Sequence, residues 1–185
     1  MNHRRLEPDA GLPRRSTECE GGRVQRLWTP WRLAYVTGGT VGDGCVFCRA
    51  ATGDDPLVVH RGTDTFVILN LFPYNNGHLM VVPNRHIATL VDARPDELRE
   101  MMEMTRLSEI ALREAFNPEG INVGINLGKA AGAGILEHLH IHLVPRWTGD
   151  TNFMTIIGQT RVLPQELPVT ADRLRPIFER LVQER

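Results

Sequence analysis

Cysteine is scarce in this chain: three residues in all, with Cys19 alone in a polar stretch and Cys45 and Cys48 two residues apart. An odd count with no secretory leader fits reduced thiols better than a disulfide framework, so the pair reads first as a metal or redox site. Long apolar runs are missing as well. No window approaches the roughly twenty apolar residues of a membrane-spanning helix, and no apolar segment follows Arg4 and Arg5. A cytoplasmic location is therefore expected, with no membrane partner. Neither sign of charge dominates, since 21 Lys and Arg stand against 22 Asp and Glu for a net charge of −1. That balance argues against a long phosphate-tracking surface for nucleic acid, whereas a small anionic ligand needs only local donors. Internal repeats and low-complexity stretches are also lacking.

What is present is ordinary globular composition, 42% hydrophobic and 23% charged over 185 residues, enough for one sizeable core and short for two. Residues 1–23 mix Arg, Glu, Pro, Gly and Ser without apolar periodicity and read as a mobile tail, leaving 24–185 as a single domain. Trp28 and Trp31, in Leu27-Trp28-Thr29-Pro30-Trp31-Arg32, carry more apolar area than a tail exposes, so ordered packing is expected from there.

Short β-branched or apolar runs at Leu57 to His60 and Thr65 to Leu69, split by Arg-Gly-Thr-Asp, predict a hairpin. A turn at Phe72 to Gly77 leads to a third strand, His78 to Val82, stopped by Pro83. From Pro95 to Phe116 the spacing of Leu98, Met101, Met102, Thr105, Leu112 and Phe116 predicts an amphipathic helix ended by Asn117-Pro118-Glu119-Gly120. Strands are expected at Ile121 to Leu127 and Leu139 to Pro145, and a shorter helix at Thr170 to Val182. Three strands, one long helix and two strands predict an α+β fold with an antiparallel sheet rather than a doubly wound one.

The strongest chemical signal is His138-x-His140-x-His142. In a strand these three imidazoles share one face while Leu139, Ile141 and Leu143 take the other. Such a row is the solvated face of an edge strand, a metal site, or a catalytic row; three of only seven histidines packed this tightly favours the last. The preceding loop, Gly128-Lys129-Ala130-Ala131-Gly132-Ala133-Gly134, is small enough for its backbone N–H groups to approach a phosphate, with Asn126 and Lys129 as side-chain donors. A small-residue loop alone is more often a plain turn. Joined to a histidine row it suggests phosphate held beside a nucleophile, because neutral imidazole accepts phosphoryl groups well near pH 7.

The segments Gly124 to Gly128 and Glu137 to Trp147, with Leu27 to Arg32, Asn70 to Met80 and Gly149 to Phe153, resemble the histidine-triad (HIT) superfamily, in the bacterial branch of diadenosine tetraphosphate phosphorylases and adenylyltransferases. The resemblance runs from Leu27 to about Pro164. It implies a HIT-like fold, a five-stranded antiparallel sheet with one long and one short helix, paired into a homodimer. It implies a nucleotidyl transfer in which His140 attacks the α-phosphate of a purine dinucleoside polyphosphate, with His142 beside the phosphates and His78 lining the site. Asn126 takes the amide position next to the scissile phosphate, and Gly128, Lys129, Gly132 and Gly134 supply donors. Asn70 stands where many relatives place an acidic ribose-binding residue, and an amide binds a hydroxyl without the charge-assisted strength of a carboxylate. Gly134 and Ile135 replace the Gln, Ser or Thr of several relatives, which leaves phosphorolysis and hydrolysis both open.

Cys45 and Cys48 have zinc-ligand spacing but form half a site, and as a bare motif the pair reads equally well as two reduced core thiols. The resemblance offers His86 and His138 as the other half, a structural Cys₂His₂ zinc site in which His138 is a ligand and not a catalyst. Magnesium would arrive with the substrate, and no organic cofactor is expected. The rival readings are hydrolysis of dinucleoside polyphosphates, nucleoside phosphoramidates or adenylyl sulfate; a hydrolase whose three triad histidines share a catalytic ion; and a nucleotide-binding module without turnover. Among the remaining residues, His60 reads as a surface or packing histidine, Cys19 as an inert thiol, and the methionines at 101, 102 and 104 as helix core and surface filler. Arg146 reads as either a phosphate contact or a surface ion pair, and Trp147 and Phe153 as packing.

Overall fold

The computed structural model describes residues 44–150 and 165–184. The expected tail at 1–23, Cys19, the Leu27 to Arg32 segment and Phe153 lie outside the described residues. In chain order the elements are α1 (Val46–Thr52), β1 (Val58–Arg61), β2 (Thr65–Leu69), β3 (Leu79–Pro83), α2 (Pro95–Phe116), β4 (Gly120–Ile125), β5 (Ile141–Arg146) and α3 (Leu167–Gln183). The five strands form one sheet in the order β1-β2-β3-β5-β4, every neighbour antiparallel. This is the α+β architecture that the sequence predicts.

The central strands are apolar on both faces because both are covered. Val67, Leu69, Leu79, Val81, Leu139, Ile141 and Leu143 pack under α2 and α3, against Met101, Met104, Leu107, Leu112, Leu174 and Phe178. On the opposite face Phe66, Ile68, Met80 and Val82 pack against Phe47 and Ala50 of α1. Helix α2 starts at Pro95, whose fixed φ suits a first helical position, behind a capping box in which Glu97 accepts the Arg94 backbone N–H at 2.7 Å. It ends at Asn117, in the left-handed region with φ 45°, before Pro118. His60 stacks on Phe178 of α3, ring centroids 5.6 Å apart, which bears out its reading as a packing residue. Met101 and Met104 are buried and Met102 is exposed, as core and surface filler should be.

Several elements differ from the sequence reading; the C-terminal helix, for one, starts at Leu167 rather than Thr170. Helix α1 was not expected, because seven residues are too few for a 3.6-residue period to register. Strand β4 stops at Ile125, two residues short of the expected end, and β5 begins at Ile141 rather than Leu139. The β3–β5 ladder ends at Val81↔Ile141, and the Leu139 N–H instead meets the carbonyl of Ile87 at 2.6 Å. His138 and His140 therefore precede the strand proper. The alternation nevertheless holds, since Leu139 joins the helix-side core while the Phe47 ring lies 5.4 Å from His138 and 5.1 Å from His140 on the other face.

Candidate active site and metal centre

The sheet delivers four histidines to one face. His140 is 4% exposed, and its Nδ1 lies 2.8 Å from the carbonyl oxygen of His138. A carbonyl only accepts, so Nδ1 carries the proton and Nε2 of the neutral ring keeps a lone pair. Burial pushes the His140 pKa below the ordinary imidazole range, and the His138 carbonyl opposes that shift. The neutral, nucleophilic form thus prevails at neutral pH. The His142 ring sits edge-on to His140 with centroids 4.7 Å apart.

His78, fully buried, joins the group from the position just before β3. The backbone N–H of Tyr74 points at its Nδ1 from 3.1 Å, and the Asn70 amide nitrogen is 3.4 Å from the same atom. A backbone N–H only donates, so His78 Nδ1 accepts and its proton resides on Nε2. That proton is donated to Nδ1 of His142, 2.9 Å away, and neutral His142 then holds its own proton on Nε2. The turn feeding His78 depends on Gly77, with φ 74°, where a Cβ would meet Phe116 and Leu112 side chains at 3.0 and 3.1 Å. Asn70 also accepts the Phe72 N–H at 3.0 Å, so its amide shapes this turn.

The expected metal residues converge. One donor atom from each of Cys45, Cys48, His86 and His138 lies within 4.8 Å of the others. Nδ1 of His138 is 3.3 Å from Sγ of Cys45 and 3.6 Å from Sγ of Cys48, and Nδ1 of His86 is 3.2 Å from Sγ of Cys48. A tetrahedral zinc with ordinary Zn–S and Zn–N bonds spaces S and N by about 3.6 Å. The Nε2–H of His138 donates to the Pro83 carbonyl at 2.8 Å, which turns the Nδ1 lone pair toward the thiols, the arrangement a ligating imidazole needs. Cys45 caps α1 and Cys48 follows in its first turn. Burial, then the neighbouring Cys45, push the Cys48 thiol up, so a bound cation would displace its proton. Donor set and spacing fit a structural metal of the zinc type.

The loop behind the histidines is less committed. Lys129–Ala131 forms a short 3-10 turn flanked by Gly128 (φ 80°) and Gly132 (φ 87°), and Gly128, Lys129 and Gly134 are exposed. An open cavity of about 370 Å³ lies beside His142, bounded by Asn126, Gly124, Asn122, Tyr74, Arg146 and Asp150. Of the sequence-predicted substrate residues only Asn126 shares its wall with His142. Gly128, Lys129, Gly132, Gly134 and Asn70 lie off that wall.

The family model described as HIT domain matches residues 54–149. The chain belongs to the HIT domain family. Among its HIT relatives, the AP-4-A phosphorylase of Mycobacterium tuberculosis (strain ATCC 25618 / H37Rv) is 42% identical over 155 residues, covering 78% of this chain and 80% of the relative. The Adenylylsulfatase HINT3 of Arabidopsis thaliana is 31% identical over 126 residues, 62% of this chain and 64% of that protein. In structure the chain is similar to a zinc-bound histidine triad family protein from Mycobacterium smegmatis, with TM-score 0.63, 29% identity and coverage of 76% of this chain and 97% of the other.

Several residues of this HIT site escaped the sequence reading. Tyr74, whose ring lies 5.0 Å from His78, and Asn75, Asn122, Gly124 and Asp150 were not singled out. One signal was available: Asn122-x-Gly124-x-Asn126 has the same period of two as the histidines and pairs beside them, Gly124 opposite His142. Arg146 resolves to an ion pair, its Nε and Nη2 on the two oxygens of Asp150 at 2.6 and 2.8 Å.

Proposed function

We propose that this HIT enzyme is a nucleotidyl transferase that cleaves dinucleoside polyphosphates of the diadenosine tetraphosphate type through a nucleotidyl-His140 intermediate. The observation that carries the proposal is the His138 carbonyl holding the proton of His140 on Nδ1. Nε2 attacks the α-phosphorus, the bond to the bridging oxygen breaks, and the polyphosphate leaves with that electron pair. The imidazole becomes cationic in this step, and the same carbonyl, accepting from Nδ1–H, stabilises it. His142, with its proton on Nε2, serves as the donor next to the phosphates. Asn126 and the Gly128, Lys129, Gly132 and Gly134 loop supply further donors as charge builds on the phosphate oxygens, with Asn70 and His78 shaping the nucleotide's other side. Inorganic phosphate then attacks the intermediate and the P–N bond breaks, returning the lone pair to Nε2. Magnesium travels with the polyphosphate substrate.

The resemblance to the mycobacterial AP-4-A phosphorylase supports phosphate as acceptor. Incubation with diadenosine tetraphosphate decides it: ADP plus ATP formed only with phosphate is expected, AMP plus ATP would make the chain a hydrolase, and no product would overturn the proposal.

In the same reading Cys45, Cys48, His86 and His138 hold zinc, as the zinc-bound histidine triad neighbour suggests. The ion supplies no chemistry to the transfer; it fixes the segment that carries His140. A homodimer is also proposed. Strand β4 is a sheet edge that leaves Val123 52% exposed, and an open edge of this kind is a template for pairing.

A further inference from the structure

The cavity beside His142 runs away from the attacking histidine toward Arg146. On its wall β4 and β5 lie side by side, with Gly124 opposite His142 and Asn122 opposite Val144. A Cβ at Gly124 would meet nothing within 4 Å, so the strand leaves open space next to the catalytic ring. From His142 to Arg146 the strand advances four residues, about 13 Å at the usual rise. That is longer than a diphosphate needs. The volume, about 370 Å³, lies in the range of small-molecule sites.

The charge at the far end is already cancelled. Arg146 spends Nε and Nη2 on Asp150 and donates Nη1 to Oδ1 of Asn122 at 3.1 Å. Asp150 also accepts from Asn75 Nδ2 at 2.9 Å and from the Trp147 N–H at 3.2 Å. Among the described residues, a phosphate would meet no uncompensated cation there. A neutral group with donors and acceptors would meet the amides of Asn122 and Asn126, Asn122 presenting Nδ2 because its oxygen faces Arg146. Tyr74 adds an aromatic surface on the His142 side.

We infer that this cavity is a subsite for the second nucleoside of the substrate, the one that departs with the polyphosphate. The inference rests on the dinucleoside reading above and deepens it: the phosphates pass His142 and Asn126, and the uncharged sugar and base lodge between Asn122 and Arg146. The chain would then prefer a two-headed nucleotide over a one-headed nucleotide of equal phosphate length.

The test compares kcat/KM for diadenosine tetraphosphate with that for adenosine 5′-tetraphosphate, in the wild-type protein and in Asn122→Ala, at one phosphate and magnesium concentration. Asn122 is exposed, so the variant should fold, and its thermal midpoint is measured alongside. The expected result is a wild-type preference for the two-headed substrate that falls at least fivefold in Asn122→Ala. An unchanged ratio, whether both rates fall together or neither moves, overturns the inference and leaves the proposed function standing. Equal wild-type rates on the two substrates overturn it as well. If the wild-type protein cleaves neither substrate, the proposed function falls and the inference with it.

Discussion

Nε2 of His78 lies 2.9 Å from Nδ1 of His142, although the two residues are 64 positions apart in the chain. The Tyr74 N–H, on the far side of His78, decides which way that contact runs. One backbone donor thereby sets the tautomer of two rings and leaves a proton on the edge of His142 that the pair does not use. His78→Phe keeps an aromatic ring but removes the donor. It should lower kcat by about 10²-fold or more while the circular dichroism spectrum stays native. A variant with unchanged kcat would show that the His78 contact does not orient His142.

The pH dependence follows from His140. Its pKa lies below the ordinary imidazole value because of burial, and the proposed attack requires the neutral ring. Activity should therefore persist to more acidic pH than an exposed histidine allows, with the acid limb of kcat/KM centred below about 6.5. Stability carries the same sign. The unfolded chain takes up a proton before the folded one does, so this contribution is complete above the unfolded pKa and is lost as pH falls toward the folded one. Urea midpoints measured across that window should decline with acidification. An acid limb centred above 6.5 would contradict a buried nucleophile.

Metal removal tests the cysteine pair. Protein purified without chelator should hold about one zinc per chain by elemental analysis, and Cys48→Ser should hold none and melt at lower temperature. Because Cys48 faces both His86 and His138, its loss should also reduce activity by loosening the segment before His140. Full zinc in the Cys48→Ser protein would place the ion elsewhere.

A second support for the same segment is ionic. The buried carboxylate of Glu97 receives Arg85 Nε and Nη2 at 2.9 and 2.8 Å, and Arg85 immediately precedes His86. The Arg85 guanidinium, helped by the Arg94 N–H, holds the Glu97 carboxyl at about 2 despite its burial. A depressed carboxylate stabilises the fold above its unfolded pKa, and that stabilisation is lost as pH falls from about 4.5 toward 2. Glu97→Gln should lower the melting temperature by several degrees, flatten the pH dependence of stability in that window and weaken zinc retention against a chelator. A variant with wild-type zinc retention would reduce Glu97 to a helix cap.

The histidine row was legible because a period of two survives whether or not each residue belongs to a formal strand: His138 and His140 precede β5 and still face away from Leu139 and Ile141. The cysteine pair was legible as a spacing, and only the resemblance offered its partners, since His86 and His138 reach it through tertiary folding from 38 and 90 residues away. Helix α1 was too short to leave a pattern. The wall beyond His142 went unread because its residues are unremarkable singly: Asn122 becomes informative only once β4 pairs with β5 and Arg146 is tied to Asp150.

The central claim is covalent catalysis by His140. Protein mixed with diadenosine tetraphosphate in the absence of phosphate, quenched in alkali to preserve a phosphoramidate and digested for mass spectrometry, should carry one adenylyl group on His140. Added phosphate should discharge it as ADP, and His140→Asn should neither label nor turn over. Turnover in His140→Asn, or label on another histidine of the group, would contradict the account.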